Sequence, residues 1–123
     1  MQKKRVVGFS IMELVVVILL LGILARVAIP RFITQTVTAQ QNSTNSLAAA
    51  LSAASADNFA KRSANSSSGT AIANCTTVSS LLPSSLPSGY TITSLAIANG
   101  ATATCTLTGQ GATTQTFVGL GIS

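Results

Sequence analysis

The chain has 123 residues, room for one modest domain beside an anchoring segment. Hydrophobic residues make up 47% and charged residues 7%, unlike a water-soluble enzyme of this size. With no histidine and only two carboxylates, it lacks an acid–base pair, a base to activate serine, and the carboxylates of a calcium site. It is therefore read as a protein without catalytic activity, metal or cofactor. The net charge of +5 does not make it a nucleic-acid binder, because Lys3, Lys4 and Arg5 supply three of the seven basic residues.

Residues 1–8 form a basic cap on an apolar run, and their positive charges favour a cytoplasmic start with the rest exported. In residues 9–29 the only strongly polar or charged side chains are Ser10, Glu13 and Arg26, and about 20 apolar residues suffice to span a bilayer as a helix. Glu13 is the flaw in that anchor, since a charged acid in hydrocarbon costs on the order of 2.5–3.5 kcal/mol and calls for a partner. A cut between Gly8 and Phe9 would create one: an α-amino group at Phe9, on the same helical face as Glu13. The pair can close within one chain or between packed copies, where it would set an axial register. An ordinary secretory signal would have a core of about 7–15 residues and small residues at the cut. Ala25 and Ala28 stand near the end of this run, but Arg26 and Pro30 make a poor cleavage site. An uncleaved anchor is the other competing reading.

Gly8-Phe9-Ser10-Ile11-Met12-Glu13, with its short basic leader and the apolar run to Ala28-Ile29-Pro30, resembles a type IV prepilin over roughly residues 3–33. The resemblance implies that a dedicated prepilin peptidase cuts after Gly8 and methylates the new terminus at Phe9, and that Glu13 acts in filament assembly. It also implies an inner-membrane location before assembly, an assembly platform with an ATPase motor, and a helical filament of like chains at the cell surface. Ser10 and Ile11-Met12 stand where the family more commonly has threonine and leucine-isoleucine. Three regions follow: a leader at 1–8, a membrane and filament-core half-helix at 9–30, and an exported globular domain at 31–123 that includes the second half of the helix.

Pro30 has no N–H for the carbonyl of Arg26 and crowds it, so the helix is expected to kink or loosen there, either as a simple kink at the membrane exit or as a helix break bracketed by Gly22 and Pro30. The family resemblance adds that residues 22–30 melt to extended backbone when copies pack. Arg26 snorkels toward the membrane interface, with Arg31 beyond it. Residues 31–62 hold no Pro or Gly and are rich in Ala, Gln and Leu, which predicts a continued helix. Leu47, Leu51, Ala54 and Asn58 follow the spacing of one face, with Ala48, Ser55 and Phe59 beside it and Gln41 and Ser52 opposite. Lys61-Arg62 is the one basic pair of this region, and no aromatic residues interleave with it, so nucleic-acid binding by this chain alone is not expected.

Ser66-Ser67-Ser68-Gly69 reads as a loop that ends the helix. Residues 71–82 read either as a short helix or as an irregular crossing that stops at Pro83. Residues 90–97 alternate as a strand, Asn99-Gly100 is a hairpin turn, and residues 101–108 form the returning strand. Gly109-Gln110-Gly111 turns the chain into a third strand at 113–118. An antiparallel sheet of these strands would cover the helix face of Leu47 and Leu51, giving an α+β pilin-like roll with a long N-terminal helix. Cys75 and Cys105 lie outside the membrane in this topology and are expected to form a disulfide. Without histidine or a CxxC spacing they compose neither a zinc site nor a thioredoxin motif.

The function expected is a structural one, the subunit of a type IV pilus serving motility, adhesion or DNA uptake. A pseudopilin of a type II secretion system would share the features up to about residue 60, although the acidic loop residues typical of its major subunit are not found. A minor pilin or a membrane-anchored binding module is the third reading.

Overall fold

A computed structural model of the chain describes Gly8 and residues 10–123. The basic residues of the leader and the expected terminus at Phe9 lie outside the described residues. The architecture is α+β: helix α1 (Ile11–Ala64), a 3-10 helix (Cys75–Leu81), and strands β1 (Thr91–Ile92), β2 (Thr102–Thr108) and β3 (Thr114–Leu120). The chain divides into two units, Met1–Thr36 and Val37–Ser123, and α1 contributes to both.

In the second unit the strands form one antiparallel sheet in the order β1-β2-β3. The helix buries Thr44, Ala48, Leu51, Ser55 and Asn58, alternating steps of four and three residues that keep one face inward. Leu51, Val78 and Leu107 are fully enclosed, with Ile72, Ile97 and Phe117 completing the large apolar core. Each such side chain contributes about 1.5–3 kcal/mol by burial. The expected Cys75–Cys105 disulfide is present, with a Cα–Cα distance of 5.7 Å, and it ties the 3-10 helix to the central strand within this core. Gly119 is required beside it, because a Cβ there would come within 2.9 Å of the Cys105 Sγ.

Gln41 and Ser52 do not lie on a solvent face opposite the core stripe, as the helical spacing had predicted. β3 is an edge strand, and the groups along its free side need partners. Gln41 Nε2 donates to the Thr114 carbonyl at 3.2 Å, Val118 N–H donates to Ser52 Oγ at 3.0 Å, and Leu120 N–H donates to Ser55 Oγ at 2.8 Å. These three side chains hydrogen-bond the free side of β3 to the helix. Ser55 is fully buried while Ser52 is half-exposed. Ser55→Ala is therefore expected to destabilise by about 1–3 kcal/mol, because it strands a donor away from water. Ser52→Ala should cost less, since water reaches the Val118 N–H. Urea midpoints of the two variants at constant slope check the difference.

The helix runs to Ala64, and the chain turns back through Gly69. Asn58 fastens that return by pairing with the backbone of Thr70 in both directions: Nδ2 to the carbonyl and the N–H to Oδ1, each at 2.8 Å. The ambiguous stretch before Pro83 resolves into the 3-10 helix, whose N-cap Asn74 accepts from the Thr76 N–H at 3.0 Å. A second correction concerns the first strand, expected over residues 90–97. Only Thr91 and Ile92 are strand-paired to β2. Thr93 N–H still donates to the Thr106 carbonyl, but residues 95–97 then turn to the start of the 3-10 helix and the residues before it, where Cys75 N–H donates to the Leu95 carbonyl and Ile97 N–H to that of Ala73. Alternation marked both pieces as extended, but it carries no information on which neighbour they pair with. A turn is present at Asn99-Gly100, with Gly100 at φ +74° and the Ala101 N–H closing on the Ala98 carbonyl, but it is not the expected hairpin turn, because the residues before it pair with the stretch at Ala73 and Asn74 and those after it with Gly121.

Candidate functional site

The first unit carries the residues singled out for processing and assembly. α1 starts at Ile11 because Ser10 caps it: the Glu13 N–H donates to Ser10 Oγ at 3.2 Å, and the Leu14 N–H to the Ser10 carbonyl at 3.0 Å. Glu13 is thereby the third helical residue, in the first turn, where unpaired N–H groups and the helix dipole favour a negative charge. The cap is legible as Ser10-x-x-Glu13, the spacing of a capping box, whereas the family resemblance makes Ser10 only a stand-in for threonine. Its structural part is to bring Glu13 to the favourable end of the helix.

Around this acid the surface is apolar on every side. Across residues 11–37 each large hydrophobic side chain is at least 41% exposed, rising to 82% at Ile11. This is one helix long and apolar enough to cross a membrane. The only ion pair among the described residues is Lys61 Nζ with Asp57 Oδ2 at 2.7 Å, so Glu13 has no cationic partner there. Further along, Thr34 and Thr36 turn their hydroxyls onto the Pro30 and Phe32 carbonyls, each at 3.0 Å. Such bonds satisfy the hydroxyls within the helix.

Neither Gly22 nor Pro30 ends α1 in the single chain, contrary to the break expected there. Proline withholds only the donor for the Arg26 carbonyl, and the hydrogen bonds of the turns before and after it carry the helix through. Gly8 is exposed, and a Cβ at Gly8 or Gly22 would meet nothing within 4 Å. Among the described residues no close contact therefore demands glycine at either position. No cluster of metal-ligating side chains occurs among the described residues. Comparison with protein-family models, curated proteins and solved structures finds no match to this chain.

Proposed function

We propose that this chain is a type IV pilin, cut after Gly8 by a prepilin peptidase, methylated at Phe9, and polymerised through its apolar half-helix into a surface filament. The reading is carried by one observation: a largely apolar, exposed half-helix whose single acid, Glu13, is ion-paired to no cation among the described residues. A surface of that extent in water would be covered, first by lipid and then by copies of itself. Lipid tails are as apolar as leucine, so exchanging lipid for neighbouring helices brings no hydrophobic gain, and packing and polar contacts decide the association. The Phe9 amine of one copy meeting Glu13 of the next supplies the polar contact that sets register. An inner-membrane platform with an ATPase motor supplies the work of extraction.

Two glycine-related features fit the same reading. Among the described residues nothing would meet a Cβ at Gly8, which suits a residue read by an external peptidase. Pro30 leaves the Arg26 carbonyl without its helical donor, and Gly22 adds backbone freedom, so residues 22–30 are the stretch that melts when copies pack. Mass spectrometry of the protein isolated from sheared surface material tests the proposal. The expected species begins at Phe9 and carries one added methyl group, whereas a chain that still begins at Met1 overturns it.

A further inference from the structure

Of the asparagines in the chain, Asn99 alone is followed by glycine, and both residues of the pair are exposed. Glycine has no Cβ to shield its backbone nitrogen from the preceding side chain. That nitrogen, once deprotonated, can attack Asn99 Cγ: the N–Cγ bond forms, the Cγ–Nδ2 bond breaks, and ammonia leaves with the proton. Water then opens the resulting cyclic imide at either of its carbonyls, giving aspartate or isoaspartate. The step consumes water, releases ammonia, and needs neither an oxidant nor a metal.

The fold holds both reacting groups. Gly100 N–H donates to the Gly121 carbonyl at 2.8 Å, and Ser123 N–H donates to Asn99 Oδ1 at 3.0 Å. The segment 121–123 that supplies these partners is itself fastened: Gly121 N–H donates to the Ala101 carbonyl at 2.9 Å, and Ile122 exchanges backbone bonds of 3.0 and 2.8 Å with the buried Ile72. In the turn from Ala98 to Ala101, Gly100 has a positive φ and Asn99 does not, which makes the turn type II. Asn99 ψ is then about +120°, which carries the Gly100 nitrogen away from Asn99 Cγ, so the ring closes only after rotation about the Asn99 Cα–C bond. The hydrogen bond from Gly100 to Gly121 opposes that rotation. Gly121 lets the segment approach so closely, because a Cβ there would run into the Ala98 carbonyl and come within 2.8 Å of Ile97 Cγ2. We infer that Asn99 is a deamidation site gated by residues 121–123, unreactive while that segment is closed on the turn and converted when it opens. Isoaspartate routes the backbone through the former side chain and lengthens it by a carbon, so the turn cannot close again and the opening becomes permanent. The inference does not depend on the pilin reading.

The full chain in detergent at mildly alkaline pH allows the test, with conversion at Asn99 followed by peptide mass spectrometry. Asn65, in the turn after α1, is the reference within the same molecule. Folded wild type is expected to convert Asn99 many-fold more slowly than wild type unfolded in urea, because reaction waits for local opening. Gly121→Ala should convert Asn99 several-fold faster than wild type while Asn65 keeps its rate. Ser123→Pro removes the N–H that holds Asn99 Oδ1 and suits the extended, bridge-paired Ile122 before it, and it should fall between. Equal rates for folded and urea-unfolded wild type overturn the inference, and so does a folded Gly121→Ala chain that converts no faster than wild type. If Gly121→Ala unfolds the second unit, seen as loss of its cooperative urea transition, Ser123→Pro decides, and a rate equal to wild type overturns the inference.

Discussion

A Glu13→Ala chain is expected to enter the membrane as the parent does and to form no filaments, or only stunted ones. Insertion should not suffer, because removing a charged acid from hydrocarbon relieves on the order of 2.5–3.5 kcal/mol. The start of the helix should survive as well, since Ser10 Oγ accepts from the backbone N–H of residue 13 and not from its side chain. What would disappear is the carboxylate proposed to meet the Phe9 amine of a neighbour, and with it the contact proposed to distinguish one axial register from another along a largely apolar helix. Glu13→Gln separates charge from shape: it keeps the size and an accepting oxygen but not the charge, and it should fail in the same way if the pair is ionic. The measurements are the amount of chain in the membrane fraction and electron microscopy of sheared surface material. Normal filaments from Glu13→Ala would remove the assembly role.

Replacing both Cys75 and Cys105 by serine is expected to lower stability by roughly 3–4 kcal/mol, from the loop-closure entropy of a separation of 30 residues. That loss is large for a domain of this size, whose total stability is of the order of 0.05–0.15 kcal/mol per residue. The core has few large side chains with which to offset it, and the bridge lies inside that core. Both sulfurs are enclosed, so serine would also place hydroxyls among Leu107, Val78 and Ile97 and add to the effect. Urea unfolding of the second unit, Val37–Ser123, followed by circular dichroism with the apolar half-helix held in detergent, gives the size of the change. An unaltered midpoint would show that packing alone holds the 3-10 helix to β2.

The gap between the three corrected expectations and the rest has a physical cause. Leu51 and Asn58 were readable as core positions because helical spacing alone decides which side chains share a face. Gln41 and Ser52 were assigned to the opposite side, and their actual partners are backbone groups of β3 more than 60 residues away. No local pattern reports that demand. The same holds for residues 94–97, whose alternation is correct for an extended segment but whose pairing goes to the residues before the 3-10 helix. Within the candidate site, Glu13 was legible because a lone acid in an apolar run is costly wherever it stands. The cap by Ser10 was equally present in the spacing, and the expected break at Gly22 and Pro30 was not, since a single missing donor does not end a helix whose other bonds are intact.

By itself, the amino-acid sequence determined the apolar helix, its one acid, the turn at Asn99-Gly100, the three strands and the disulfide. Each of these follows from local periodicity, turn chemistry or a pairing with only one possible partner among two cysteines. Only the tertiary structure decided where β1 stops, which helix side chains satisfy the edge of β3, and that Thr91, Thr108 and Thr114 of three strands stand in one row. Those outcomes depend on which distant backbone groups come within hydrogen-bonding distance, a property of the assembled layers and not of any stretch of the chain.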